Sequence, residues 1–228
     1  MKILFIGAHP DDIELMAGGI IAKVSHKHNV CCMVVTNGDK WSCIDTLSRE
    51  NLIEKRIEET KKAFEILGVK KTIFLSLEDG LVFPTSTFQK ILQKQISLVK
   101  PVIIVTHSLS VHQHIDHYYT SLTLKKLRRN YPNYYSKIEI LKELLEGQKQ
   151  KNIIKFDVSD EIEKKCMAVK QHTSQFGNGQ RIEKTLTGGG EKPPIKKRRR
   201  YFEVFYTDNP YNKRFRNLCK AVNGNTDS

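Results

Sequence analysis

Between residues 2 and 106 the chain alternates short apolar runs with stretches of helical period, and this alternation limits the fold more than any other feature. Residues 2–7 form an apolar run that ends at Gly7, which reads as a buried strand. Gly18 to Val24 supplies the body of a first helix, and Val30 to Thr36 a second buried strand closed by the turn signal Asn37-Gly38-Asp39. Over Arg49–Leu67, Ile53, Ile57, Ala63, Phe64 and Leu67 recur at helical spacing, and Gly68 stands at the C-cap. Thr72–Leu75 is a third strand, Ser86–Val99 a helix ahead of Pro101, and Val102–Val105 a fourth strand. Strands that alternate with helices predict an α/β fold with a mainly parallel sheet and right-handed crossovers.

Beyond residue 150 the pattern is sparser. Ile153–Phe156 reads as a strand, and Ser159 to about Gln171 as a helix with Ser159 as N-cap and Glu161 and Glu163 in its first turns. Gly188-Gly189-Gly190 and Pro193-Pro194 mark a loop, Tyr201–Tyr206 is an apolar segment, and Asn223–Ser228 is a polar end expected to fray. Residues 118–155 are Lys-rich and offer few motifs. Five cysteines lack CxxC pairing or regular spacing, which reads as free thiols in a reducing cytosol. If the strand at 30–36 is half-buried, at most one of the adjacent Cys31 and Cys32 faces a core. The first apolar run is too short for a signal peptide and no run reaches the length of a membrane span, so the expected location is cytoplasmic.

In an open α/β sheet, ligands bind beyond the carboxyl ends of the strands. Two polar clusters fall there. His9-Pro10-Asp11-Asp12-Ile13-Glu14 follows the first strand; His107, His112, His114, Asp116 and His117 follow the fourth. His and Asp are usual ligands for zinc, and a catalytic zinc keeps three protein ligands and one position for water. Neither cluster completes such a site alone; together they can. The bland reading of the first is a turn, with Pro fixing φ and Asp capping the next helix. The bland reading of the second is a solvated loop. Both lose ground because the clusters end strands of one sheet, where nothing structural requires imidazole.

The segment Ala8-His9-Pro10-Asp11-Asp12-Ile13-Glu14 followed by Gly18-Gly19 resembles the signature of the zinc-dependent LmbE-like or PIG-L-like N-acetylglucosaminyl deacetylases, and His114-Ile115-Asp116-His117 resembles their second motif. Further likenesses recur in order: Thr36–Asp39; Arg56-Ile57-Glu58-Glu59 with Ala63 and Leu67-Gly68-Val69; Asp79-Gly80-Leu81; Lys165, Ala168, His172, Ser174 and Gln175; and Phe202-Glu203-Val204-Phe205. The resemblance spans most of residues 2 to 205. It implies a Rossmann-like three-layer sandwich and one zinc ion per chain, or another divalent metal, held by His9, Asp12 and His117. It implies Asp11 as general base, His114 as the residue that stabilises the oxyanion or protonates the leaving amine, and Arg56 as a substrate contact. The implied reaction removes an N-acetyl group from an N-acetylglucosamine-type sugar or conjugate. Cleavage of another N-acyl group from an amino-sugar conjugate is the neighbouring reading, and a catalytically inactive polyanion-binding protein of the same fold is the third.

Some residues keep two readings. Asp116 orients a neighbouring histidine or only shapes its turn. Glu14 is a partner to a ligand or an early-helix carboxylate favoured by the helix dipole. His107 and His112 are loop residues or support the ligands, and His26, His28 and Cys31 read as solvated. Residues 1–205 are expected to form one domain and 206–228 a basic, partly flexible extension. The net charge of +13 is densest over 192–220, where ten Lys/Arg meet two acids. The run Lys196–Arg200 reads as a solvated loop or as a contact for an anionic substrate or surface; with no aromatic interleaving, nucleic acid is not the expected partner. The expected partner is an N-acetylated amino sugar, anionic on one reading, and homo-oligomers are compatible with the chain.

Overall fold

In the computed structural model, which describes residues 1–177, 182, 200–208 and 219, the apolar runs become strands of a single mixed sheet. The chain order is β1 Lys2–Gly7, α1 Asp12–Val24, β2 Asn29–Thr36, α2 Arg49–Leu67, β3 Lys71–Leu77, α3 Ser86–Val99, β4 Ile103–Thr106, α4 Ile115–Asn130, α5 Pro132–Tyr135, β5 Glu139–Glu143, β6 Ile153–Asp157, α6 Ile162–Val169, α7 Thr173–Phe176 and β7 Phe202–Thr207. The sheet order is β3-β2-β1-β4-β5-β7-β6. The first five pair in parallel, and β7 runs antiparallel between β5 and β6. The α/β, mainly parallel, three-layer arrangement expected from the sequence is the one observed.

Period-two alternation divides the central strands between two cores. Ile3, Phe5, Val30, Cys32 and Val34 join the core shared with α1, α2 and α6. Leu4, Ile6, Cys31, Met33 and Val35 join the core under α3 and α4. Cys31 and Cys32 are therefore both buried, one on each side. The expectation that at most one faces a core rested on a half-buried strand, and helices on both faces bury β2 completely.

Two further expectations change. Ser159 does not cap a helix: Ser159–Glu161 form a 3₁₀ turn, and its hydroxyl donates to Asp157 Oδ1 at 2.6 Å while accepting from the Tyr201 amide at 2.9 Å. The helix starts at Ile162 and stops at Val169, and α7 is separate from it. The unplaced stretch after residue 118 holds most of α4, all of α5, and β5. Its buried positions are polar, which hides the periodicity: Thr120, Ser121 and Thr123 on α4, and Glu139 and Lys142 on β5. Lys142 is paired with Asp208 at 2.8 Å, and Glu139 accepts from the Thr207 hydroxyl. The loop at 188–194, residues 196–199 of the basic run and, apart from Cys219, everything beyond Asp208 lie outside the described residues.

Helix α1 carries the first cluster and is seated by its own irregularity. It departs from helical geometry at Ala17 (φ −142°, ψ 18°). The Gly19 and Ile20 amides beyond the break donate to the two carboxylate oxygens of Glu203, each at 2.8 Å. Lys165 adds an ion pair to Glu203 at 2.7 Å, fully inside the protein. A Cβ on Gly19 would lie 2.5 Å from Val158 Cβ, and one on Gly18 would lie 3.0 Å from Lys165 Cγ. The glycine pair is thus explained by close packing of α1 against the 158–169 segment.

A candidate metal centre at the switch point of the sheet

The strand order reverses between β1 and β4, so the loops after these strands diverge and leave a crevice between them. His9 and Asp12 enter from the β1 side, and His107, His114, Asp116 and His117 from the β4 side. Two imidazole nitrogens and both oxygens of one carboxylate meet there. His9 Nδ1 lies 3.2 Å from His117 Nε2 and 3.3 Å from Asp12 Oδ2, and His117 Nε2 lies 3.1 Å from Asp12 Oδ1. Ligands of a tetrahedral zinc, with bonds of about 2.0–2.2 Å, stand about 3.3–3.5 Å apart. The spacing suits such an ion. Three overlapping triads, His9–His114–His117, Asp12–His107–His117 and His9–Asp79–Asp116, have donor atoms within 4.8 Å of one another.

The surroundings set which nitrogen faces the crevice. His9 Nε2 lies 3.1 Å from Asp79 Oδ1 and 3.2 Å from Asp116 Oδ2, so it carries a proton, and Nδ1, which faces Asp12 and His117, holds either the second proton of the charged ring or a metal ion. Carboxylates that hold the far nitrogen of a ligating histidine are a regular feature of metal sites. Burial works against charge on His9, but Asp12, Asp116 and Asp79 outweigh it and push its pKa up to about 12. Burial likewise opposes ionisation of Asp12, yet His117, His107 and His9 hold its pKa well below the usual range. Asp116 Oδ1 is buried without a hydrogen-bond partner. A carboxylate-rich pocket that forces charge onto an imidazole is one a divalent cation would satisfy.

The Asp116 carboxylate thus orients His9 and neither of its sequence neighbours, while its amide holds His114. Its Oδ2 also accepts from the Gly80 amide at 2.6 Å, which ties α4 to the loop after β3. Asp79 is a site residue that the sequence shows only within the Asp79-Gly80-Leu81 likeness. The signal was available, because it too is an acid just past a strand end. Asp39 and Lys40 place it: Asp79 donates its amide to Asp39 Oδ1 and accepts the Lys40 amide, both at 3.3 Å.

Asp11 occupies the N-cap of α1, but its side chain accepts no helix amide, so the capping reading does not describe it. Its φ is 111°, a left-handed conformation that costs a residue with a Cβ about 1–2 kcal/mol. Arg56 holds it there. Arg56 is buried, donates to the Pro10 and Gly38 carbonyls, and lies 3.3 Å from Asp11 Oδ1. A Cβ on Gly38 would collide with the guanidinium, 2.3 Å from Nη1, so the glycine admits the arginine. The structure therefore puts Arg56 beneath the loop, where it reaches the crevice through Asp11. Burial raises the Asp11 carboxyl to about 6 against the lowering pull of Arg56.

His114 is exposed at the crevice mouth and caps α4, with Nδ1 accepting the Asp116 amide at 3.3 Å. Its ring stands edge-on to His9, with centroids 4.6 Å apart. His107 is buried; its Nε2 accepts the Ala8 amide at 2.9 Å and its ring stacks on His117 at 3.9 Å, which makes it a support. Glu14 turns away from the crevice to meet His172 Nε2 at 2.9 Å. Glu59 accepts from the Thr173 and Ser174 hydroxyls and the Ser174 amide, which fastens α7 to α2.

A family model described as PIG-L, GlcNAc-PI de-N-acetylase, matches residues 4–127, more than half of the chain and both halves of the crevice. The chain belongs to this family. The diacetylchitobiose deacetylase of Thermococcus kodakarensis is 29% identical over 192 residues, covering 77% of this chain and 70% of that protein. The structure of N,N'-diacetylchitobiose deacetylase from Pyrococcus horikoshii superposes with a TM-score of 0.74 at 25% identity, over 90% of this chain and 83% of that one. GalB, a 4-carboxy-2-hydroxymuconate hydratase from Pseudomonas putida, has a TM-score of 0.70 at 18% identity, over 92% of this chain and 96% of that one. The fold is thus shared by an enzyme of different chemistry, and the reaction must be argued from the site. Among the described residues, no helix is long and apolar enough to cross a membrane.

Proposed function

We propose that this chain is a metal-dependent hydrolase, with zinc as the resident ion, that removes the acetyl group from an N-acetylglucosamine-type sugar or sugar conjugate. We further assign one catalytic domain that runs past the expected boundary at residue 205, because β7 continues to Thr207 and Tyr206 and Thr207 are buried in the sheet. One observation carries the reading. His9 Nδ1, His117 Nε2 and the Asp12 carboxylate converge within 3.3 Å, and Asp11, the residue next to Asp12, keeps its carboxylate unspent on the helix cap. The names of the two deacetylase relatives support the choice of an N-acetyl sugar.

His9, Asp12 and His117 would hold the ion. When bound, zinc lowers the pKa of water to about 7 and polarises a carbonyl oxygen, the two aids that an unreactive amide needs. Asp11 serves as the base. A carboxyl raised to about 6 is ionised at neutral pH, yet accepts a proton more readily than an exposed one. Arg56 is a positioning residue that keeps Asp11 in its left-handed conformation and ionised. His114 spends Nδ1 on the Asp116 amide, so the neutral ring carries its proton on Nε2, where it can donate to an oxyanion or to the leaving amine.

The test pairs metal analysis with acetate release from a panel of N-acetylated sugars and conjugates. Asp11→Asn should keep its metal and lose about 10²–10⁴-fold in rate, whereas His117→Ala should lose the metal. Near-normal acetate release by Asp11→Asn would remove the base assignment. Release of longer acyl groups in preference to acetate would replace the deacetylase reading by the broader amidase one.

A further inference from the structure

The corner that joins α6 to α7, residues 172–175, supplies no donor to the crevice, yet it bonds to three separate segments around it. His172 Nε2 meets Glu14 Oε1, on the first turn of α1, at 2.9 Å. The Thr173 and Ser174 hydroxyls donate to Glu59 of α2 at 2.7 and 2.6 Å. The loop after β2 is fastened twice. The Cys43 amide and the Ser42 hydroxyl donate to the Ser174 carbonyl at 2.8 and 3.0 Å, and Gln175 Nε2 donates to the Trp41 carbonyl at 3.0 Å. Glu14, Glu59, His172 and Ser174 are all buried.

Each of these segments brings one part of the arrangement around Asp11. Helix α1 carries Asp11 at its N-cap and Asp12 in its first turn. Helix α2 carries Arg56, three residues before Glu59 and on the same face. The loop after β2 carries Gly38, whose carbonyl accepts from Arg56. Asp11 has a φ of 111°, a conformation that persists only where the surroundings over-determine it. Arg56 restrains it through its carboxylate and the Pro10 carbonyl, and Glu14 restrains the helical turn on its other side. Among the described residues, Glu14 Oε2 and His172 Nδ1 have no hydrogen-bond partner, so the bond between the two residues is the one polar attachment of either side chain. For stability alone, a buried pair of this kind is often matched by an apolar pair of the same volume. An apolar pair lacks direction, whereas a hydrogen bond fixes how the turn stands against the corner.

We propose that His172 is a positioning residue: through Glu14 it holds the first turn of α1, with Asp11 and Asp12, in register with Arg56 and His117. Its effect on turnover rests on the deacetylase reading; its effect on metal affinity does not.

The test compares His172→Leu, which fills the space but loses the bond, with His172→Gln, whose amide can donate to Glu14 as the imidazole does. Zinc affinity of the whole protein is measured by competition with a chelator. The kcat and KM are measured by acetate release from N-acetylated sugars, well below each thermal transition. His172→Leu should bind zinc about 10–100-fold more weakly. A misplacement of 1 Å costs about 10²-fold in rate, so its kcat should fall by about that factor while KM changes little. His172→Gln should recover most of both losses. Should His172→Leu fail to fold, Glu14→Gln with His172→Leu removes the charge that the single change strands, and the same losses are expected of it. Wild-type zinc affinity and kcat in the variant that lacks the bond overturn the proposal, because the pair then only fills space. Equal losses in the Leu and Gln variants overturn it too, since charge and not placement then matters. A change confined to KM does the same, since the corner then shapes sugar binding. A wild-type protein that binds zinc but releases acetate from none of the sugars counts against the deacetylase reading alone, and the zinc measurement still decides. A wild-type protein with neither zinc nor acetate release overturns both.

Discussion

Replacing Glu203 by Ala should destabilise this protein more than almost any other single change outside the apolar cores. Glu203 is 5% exposed, and each carboxylate oxygen accepts one amide from the break in α1, while Lys165, 6% exposed, completes the set. The Ala variant leaves a buried ammonium without a counter-charge and two helix amides without an acceptor. Removing one partner of a buried pair costs about 3–5 kcal/mol, and the orphaned amides keep the value at the upper end. For a chain of this size 1 kcal/mol corresponds to about 2–4 °C in Tm, so a fall of about 10 °C or more is expected. The assay is thermal denaturation followed by circular dichroism, with urea titration to confirm that the m-value is unchanged. Lys165→Met combined with Glu203→Gln removes both charges and should cost clearly less than the sum of the two single changes. A fall in Tm below about 3 °C for Glu203→Ala, or strict additivity in the cycle, would refute the view that this carboxylate seats α1 and the cluster it carries.

Two further outcomes follow from the same geometry. Asp79→Asn removes the charge that faces His9 Nε2 and should weaken zinc about 10–100-fold in competition with a chelator; unchanged affinity would show that Asp116 alone holds the ring. Burial disfavours charge on His172, but Glu14 outweighs it, so its pKa is raised in the folded state. The protonated form is therefore favoured by folding. Its stabilisation is fully present below the unfolded value of about 6.5 and is lost as pH climbs through the raised native value. The Tm difference between wild type and His172→Gln should shrink over that interval as pH increases, and a constant difference would contradict the assignment.

The first four strands were legible because each is an uninterrupted apolar run, and α2 because its apolar positions keep a helical period up to Gly68. β5 was not legible, since Glu139 and Lys142 occupy buried positions and find partners only in Thr207 and Asp208, more than sixty residues away. α4 was hidden by hydroxyl residues on its buried face. In the crevice, the two polar clusters are recognisable from their strand-end positions and the family resemblance singles out His9, Asp12 and His117, whereas Asp79 shows only as part of an Asp-Gly likeness, because no local pattern separates a carboxylate that orients a histidine from one that shapes a turn.

Periodicity and the two strand-end clusters are therefore sufficient, by themselves, to determine the α/β class and to locate the site, because both are local properties of the chain. Tertiary structure decided the rest. It placed β1 beside β4 with 99 residues between Ala8 and His107, aimed His9 Nδ1 inward by fixing Nε2 on Asp79 and Asp116, and set Arg56 under Asp11. These outcomes depend on distances between segments far apart along the chain, and such distances exist only once the sheet order and the helix packing have brought the segments together.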